Sequence, residues 1–90
     1  MQRKHLIVHG RVQGVGFRFH TQQAASRLGI VGWVKNNPNG TVEIDAQGEK
    51  DAIRKFLEAV RKGSPFSRVE RVDVKNREPS MNRRAFDVKY

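Results

Sequence analysis

The chain has 90 residues, the size of one small domain, so we expect 1–90 to form a single unit and exclude a two-domain enzyme with a separate cofactor lobe. It contains no cysteine, which excludes disulfide frameworks, thiolate zinc sites and a cysteine nucleophile. Eighteen lysines and arginines against nine aspartates and glutamates give a net charge of +9.

The positive charge is unevenly distributed along the chain. No acidic residue precedes Glu43, whereas residues 1–42 carry six lysines and arginines. Residues 43–90 carry twelve basic and nine acidic residues, a net charge of only +3. We therefore expect the N-terminal half to meet an anionic partner. Nucleic acid, an anionic membrane surface and a small phosphorylated or carboxylated molecule all fit, and composition does not distinguish them.

The first thirty residues predict a strand, a glycine-rich turn and a helix. Apolar and polar residues alternate from Lys4 to Val12, which is typical of a strand. Gln13–Gly16 form the turn, and residues 18–28 have helical spacing. Gly29 is well placed to end this helix.

A hairpin and a second helix are predicted next. Val31–Asn37 reads as a strand, and Pro38-Asn39-Gly40 is a strong turn signal. Thr41–Gln47 alternates again, with three polar residues expected to face outward: Glu43, Asp45 and Gln47. Glu49–Lys62 is the clearest helix, because its apolar residues lie three and four positions apart: Ile53, Phe56, Leu57 and Val60.

Two strands, Val69–Lys75 and Ala85–Tyr90, complete the prediction, with a polar loop over 76–84 between them. The order β-α-β-β-α-β with an extra C-terminal strand predicts an α+β, ferredoxin-like sandwich (a split βαβ). Its antiparallel sheet would carry two helices on one face. No signal-peptide or membrane-spanning pattern is visible, so we expect a cytoplasmic protein. The fold hosts many functions and does not determine an activity.

The segment from Gly10 to Arg18 combines the ingredients of a phosphate site. Its glycines allow close backbone approach, and successive N–H groups in such a turn can hold an anion. The following helix adds its N-terminal dipole, and Arg18 adds forked donors. Phe19 occupies the third glycine position of a dinucleotide fingerprint, and no P-loop Gly-Lys-Ser/Thr follows. The glycine spacing alone fits an ordinary β-α turn equally well.

Other polar residues have a simpler interpretation. Asn37 and Asn39 are typical turn formers, and Trp33 is expected to pack on the sheet. We expect the three histidines, His5, His9 and His20, to be solvated or packed side chains rather than ligands. The paired basic residues Arg61-Lys62 and Arg83-Arg84 are expected to be solvated charges.

Two long spaced motifs resemble those of the acylphosphatase family. The first signature is matched by Val8-x-Gly10-x-Val12-Gln13-Gly14-Val15-x-Phe17-Arg18. The second is matched by Gly32-Trp33-Val34-Lys35-Asn36, followed by Gly40-x-Val42 and Gly48. The ending Phe86-x-Val88-Lys89-Tyr90 is also similar to that of the family. The resemblance covers nearly the whole chain.

The resemblance implies hydrolysis of a small-molecule acyl phosphate to a carboxylate and inorganic phosphate. It implies two catalytic residues, Arg18 binding the phosphate and Asn36 orienting the attacking water. The backbone cradle would be formed by Gln13, Gly14, Val15, Gly16, Phe17 and Arg18. No metal or cofactor, no nucleic-acid partner and no membrane partner is expected, and the protein is expected to be a monomer.

Two alternatives from other classes stay open at this point. An RNA-binding module fits the basic charge and the fold, but Thr41–Gln47 lacks the aromatic residues that RNA-recognition sheets carry on their third strand. A regulatory module that binds a phosphorylated small molecule without turnover would keep the same cradle. Only the presence of Asn36 argues against this second alternative.

Overall fold

A computed structural model describes all 90 residues and contains seven elements. They are β1 (Gln2–Arg11), α1 (Phe17–Leu28), β2 (Val31–Asn36), β3 (Val42–Gly48), α2 (Lys50–Lys62), β4 (Arg68–Arg77) and β5 (Phe86–Lys89). The five strands form one sheet in the order β4-β1-β3-β2-β5. The predicted ferredoxin-like fold with an extra C-terminal strand is confirmed.

The extra strand adds a parallel edge to the sheet. The pairs β4–β1, β1–β3 and β3–β2 are antiparallel, as predicted, whereas β5 runs parallel to β2. Val34 lies beside Val88 and Lys35 beside Lys89. The end of β5 therefore comes next to the end of β2, where Asn36 is located.

The core lies between the sheet and the two helices. Strand alternation places Leu6 opposite Ile44 and Val8 opposite Val42, and all four side chains are fully buried. Phe56 of α2 packs against this layer and meets Phe86 of β5 edge to face, with ring centroids 5.9 Å apart. Burial of each large apolar side chain contributes about 1.5–3 kcal/mol, so these contacts are what hold the helices on the sheet. Neither helix is long and apolar enough to cross a membrane.

The outward face of the sheet is only partly open to solvent. Asp45 and Gln47 lie on that face, as the alternation predicts, but both are buried, Asp45 with only 3 % of its surface exposed. Gln47 exchanges two hydrogen bonds of 2.7 Å with the backbone N–H and carbonyl of Ser80. The loop after β4 therefore folds back over the outward face and covers part of it.

Asp45 is compensated by two arginines. Arg3 donates to its carboxylate through Nε and Nη2, each at 3.0 Å, and Arg83 donates through Nη1 to Oδ1. The expectation that Arg83 is a solvated charge is thus wrong, because a buried carboxylate requires a charged partner. Burial by itself would raise the pKa of Asp45, but the hydrogen bonds and positive charges of Arg3 and Arg83 outweigh it and hold the pKa below its ordinary value.

The histidines and Trp33 are packed or paired, as expected. The His5 ring nitrogen lies 2.6 Å from Glu43, and that of His9 lies 2.9 Å from Asp73. His20 approaches the carbonyl of Ala59 at 3.4 Å. Trp33 lies half-buried on the outward face, where its ring meets that of His5 edge to face at a centroid distance of 6.5 Å.

The buried carboxylate predicts a pH-dependent contribution to stability. Asp45→Asn should lower the free energy of unfolding at neutral pH by about 2 kcal/mol, since it removes the charge that Arg3 and Arg83 neutralise. The folded-state pKa is lowered, so this stabilisation is complete above the ordinary carboxyl pKa of about 4 and is lost as pH falls through the lowered value.

Denaturant unfolding of the unaltered chain and Asp45→Asn at pH 7 and at pH 3 measures both effects. Glu58→Gln is the matched control, because Glu58 pairs with Arg54 at 3.2 Å on the exposed surface of α2 and should change stability by less than about 0.5 kcal/mol. A loss in Asp45→Asn no larger than in the control would contradict the structural role of Asp45.

Candidate active site

The loop between β1 and α1 turns on two left-handed glycines. Gly14 has φ 72° and Gly16 has φ 76°, a region that costs other residues about 1–2 kcal/mol. No atom lies within 4 Å of the position where a Cβ would stand on either residue, so the requirement for glycine is conformational rather than steric. Gly16 is also the N-cap of α1 and has no side chain to accept from its first turn.

The N–H groups of this loop are unpaired within the chain. Nine backbone hydrogen bonds lie outside the helices and strands, and none has a donor among residues 13–16. The N–H groups of Phe17 and Arg18 open α1, where helix geometry provides no carbonyl partner. Donors that are unpaired in a turn and at a helix N-terminus form a favourable site for an anion.

Two side chains from distant elements anchor the loop. Gln13 Nε2 donates to the carbonyls of Asn37 and Thr41, at 2.7 and 2.9 Å, and so ties the loop to the β2–β3 hairpin. Ser64 Oγ, which follows α2, donates to the carbonyl of Val15 at 3.0 Å. The sequence predicted only a backbone contribution from Gln13, and no local pattern indicated the partners of its amide.

Arg18 lies in the first turn of α1 and is held by the end of β5. Its Nη1 donates to the carbonyl of Lys89 at 2.9 Å, and its guanidinium carbon lies 4.7 Å from the ring centroid of Tyr90. These contacts leave its other N–H donors without a partner in the chain. The family-like ending Phe86–Tyr90 is the sequence signal for this segment, but no local pattern connects it with Arg18.

Asn36 ends β2 and presents an unusual polar atom. Its Oδ1 is buried and has no hydrogen-bond partner. Buried polar atoms nearly always have a partner, so an orphaned acceptor of this kind points to a ligand or water that binds there. An amide oxygen can accept a hydrogen bond from a water molecule without adding charge.

A cavity of about 510 Å³ joins these features. Arg18 and Asn36 both line it, together with three residues of the predicted cradle: Gly14, Gly16 and Phe17. Gln13 and Val15 belong to the same loop but do not line the cavity. The remaining lining residues, outside the predicted site, are Val12, Phe19, Gln22, Asp87, Val88 and Tyr90. Asp87 is the one acidic residue among them, and it lies outside both sequence motifs.

Comparison with known proteins places the chain in a family. The acylphosphatase family model matches residues 4–88. The chain is 47 % identical to the acylphosphatase of Bacillus velezensis over the whole of both chains, and 43 % identical to that of Geobacillus thermodenitrificans over 100 % of this chain and 96 % of that one. The chain belongs to the acylphosphatase family. The crystal structure of the acylphosphatase from Bacillus subtilis superposes with a TM-score of 0.96, at 43 % identity and with full coverage of both chains.

These matches confirm the family resemblance that the two motifs carry, and with it the prediction that the chain is an acylphosphatase-type enzyme. They concern the chain as a whole. The roles of Arg18, Asn36 and the individual cradle residues stay predictions, now supported by the geometry of one shared cavity.

The anchoring contacts make Gln13 a testable part of this acylphosphatase-family site. Gln13→Ala removes two partly buried hydrogen bonds to backbone carbonyls, so we expect the free energy of unfolding to fall by about 1–2 kcal/mol. The loop should also bind inorganic phosphate severalfold more weakly, measured as the inhibition constant for phosphate. Gln23→Ala is the control, because Gln23 is exposed on α1 and makes no side-chain hydrogen bond. Equal phosphate affinity in the two variants would exclude the anchoring role.

Proposed function

We propose that this chain hydrolyses the carboxyl-phosphate bond of small acyl phosphates, releasing a carboxylate and inorganic phosphate. The observation that carries the proposal is the shared cavity, which is lined by Arg18, by loop residues whose N–H groups are unpaired, and by Asn36, whose Oδ1 has no partner. The names of the relatives, all acylphosphatases, point to the same reaction.

The phosphoryl group would bind between the loop N–H groups and Arg18. Phosphoryl transfer places little covalent demand on the protein, and its main requirement is to stabilise charge on the phosphoryl oxygens. The N–H donors of residues 13–18 are fixed by left-handed glycines and by the Gln13 and Ser64 anchors, so they need little reorganisation. Arg18 adds a full positive charge and a fork that fits phosphate oxygens.

The attacking water would be held by Asn36. Its oxygen attacks phosphorus, the bond from phosphorus to the carboxyl oxygen breaks, and the carboxylate leaves with the bonding electrons. A carboxylate is a good leaving group near neutral pH, so no general acid is required. The proton lost by the water goes to a phosphate oxygen of the substrate. A neutral amide suits this position because a carboxylate there would repel the phosphate.

We further propose that residues 1–90 act as a single domain and as a monomer, without metal or cofactor, in the cytoplasm and without a nucleic-acid or membrane partner. All residues that line the cavity belong to one copy of the chain, and they come from α1, the loop before it, β2 and the C-terminal segment with β5. The N–H donors and Arg18 supply the positive charge that a metal ion would otherwise provide.

Benzoyl phosphate hydrolysis tests the reaction. The purified chain is mixed with benzoyl phosphate in the presence of a chelator, and absorbance is followed over time. We expect release of benzoate well above the uncatalysed rate. Hydrolysis no faster than background would refute the enzyme assignment and favour the binding-module alternative, which inorganic phosphate binding to the same chain would then identify.

Two substitutions separate the proposed roles. Asn36→Ala should lower turnover by at least about 100-fold and leave inhibition by inorganic phosphate largely intact, because it removes the water ligand but not the cradle. Arg18→Ala should weaken both substrate and phosphate binding. The matched controls are Asn82→Ala and Arg27→Ala, exposed residues that do not line the cavity. Turnover by Asn36→Ala equal to that of Asn82→Ala would refute the assigned role of Asn36.

A further inference from the structure

Two exposed aromatic rings lie beside the phosphate-binding groups. Phe19 is 63 % exposed and Tyr90 is fully exposed, and both line the cavity that contains Arg18 and Asn36. Single exposed apolar residues are common on protein surfaces and need no explanation. Two of them on the wall of one cavity, next to Arg18, indicate that this part of the cavity receives an apolar group.

The residues that line the cavity fall into a polar group and a mainly apolar group. Gly14, Gly16, Phe17 and Arg18 supply the N–H groups and the guanidinium, and Asn36 supplies the orphaned acceptor. Of the other lining residues four are apolar, and Gln22 already donates through Nε2 to the carbonyl of Phe86 at 3.2 Å. Beyond the phosphate site the cavity is therefore mainly apolar, with the exposed Asp87 as its only acid.

The chemistry of the substrate directs its acyl group toward this apolar part. The acyl carbon is joined to phosphorus through a single oxygen, so an acyl group cannot lie far from Arg18. The volume of about 510 Å³ falls within the usual range of small-molecule sites, about 300–1,000 Å³, and accommodates more than a phosphate.

We propose that Phe19 and Tyr90 form an acyl-binding wall that favours aromatic over small aliphatic acyl phosphates. This inference rests on the proposed hydrolysis of acyl phosphates. Phe19 directly follows Arg18 in the first turn of α1, and the Tyr90 ring lies 4.7 Å from the Arg18 guanidinium. An aromatic acyl group bound next to Arg18 would gain contact with both rings, whereas an acetyl group is too small to cover them.

The two rings differ in what else they do. Tyr90 covers Arg18, so removal of its ring would disturb phosphate binding together with acyl binding. Phe19 makes no hydrogen bond or ring contact of this kind, and its exposure shows that the core does not depend on it. Phe19 is therefore the residue on which acyl preference can be measured by itself.

The experiment compares kcat/KM for benzoyl phosphate and acetyl phosphate. The unaltered chain should prefer benzoyl phosphate, and Phe19→Ala should reduce the benzoyl-to-acetyl ratio about tenfold, the scale of discrimination that a few hydrophobic contacts provide. Phe19→Tyr keeps the ring and should keep the ratio. Phe66→Ala is the matched control, because Phe66 is 79 % exposed and lies outside the cavity. Its ratio should equal that of the unaltered chain.

The outcomes distinguish this inference from the proposed function. A ratio in Phe19→Ala equal to that in Phe66→Ala would overturn the acyl-binding wall while leaving hydrolysis intact. An equal loss of kcat/KM for both substrates in Phe19→Ala would overturn it too, because it would place Phe19 in phosphate binding. Hydrolysis of neither substrate by the unaltered chain would refute the proposed function and this inference together.

Discussion

Unpaired backbone N–H groups are the feature on which this site depends, because a folded chain normally satisfies nearly all of its polar backbone groups. Left-handed glycines at 14 and 16 turn the loop. The Gln13 side chain and the Val15 carbonyl, which accepts from Ser64, hold the loop in place and leave its N–H groups free. The same anchors locate the side chains. Arg18 follows the loop in α1, and Gln13 bonds the carbonyl of Asn37, the residue after Asn36.

The net positive charge of the protein plays a smaller part in the proposed phosphate recognition than its magnitude suggests. Of the six basic residues before Glu43, Arg18 alone lines the cavity. Arg3 is paired with Asp45 on the outward face of the sheet, and Lys35 lies 3.9 Å from Glu43. These two basic side chains therefore neutralise Asp45 and Glu43 and do not take part in the cavity. The net charge of +9 attracts anions to the molecule, whereas in the proposed function one guanidinium and neutral donors bind them.

The sequence predicted what depends on local pattern and missed what depends on distant partners. Alternation predicted the strands β1 and β3, and Leu6 and Ile44 lie on the faces of these strands that meet the core. The same alternation placed Asp45 on the outward face but could not show that Arg83, 38 residues away, would cover it. In the site, the family motifs pointed to Arg18 and Asn36. The hydrogen bonds of the Gln13 side chain and the hydrogen bond from Arg18 to the end of β5 join chain segments that only the folded sheet brings together.

Three consecutive residues at the start of α1 divide the tasks of the site. Phe17 is 1 % exposed and fixes the helix start to the core, Arg18 lines the cavity in which we propose that the phosphate binds, and Phe19 is 63 % exposed on the wall of that cavity. Contacts to an acyl group act on substrate and transition state alike, so they change affinity without changing the charge stabilisation that speeds the reaction. With the proposed roles, residue 19 can vary with the substrate, whereas residue 17 is constrained by the fold and residue 18 by the chemistry.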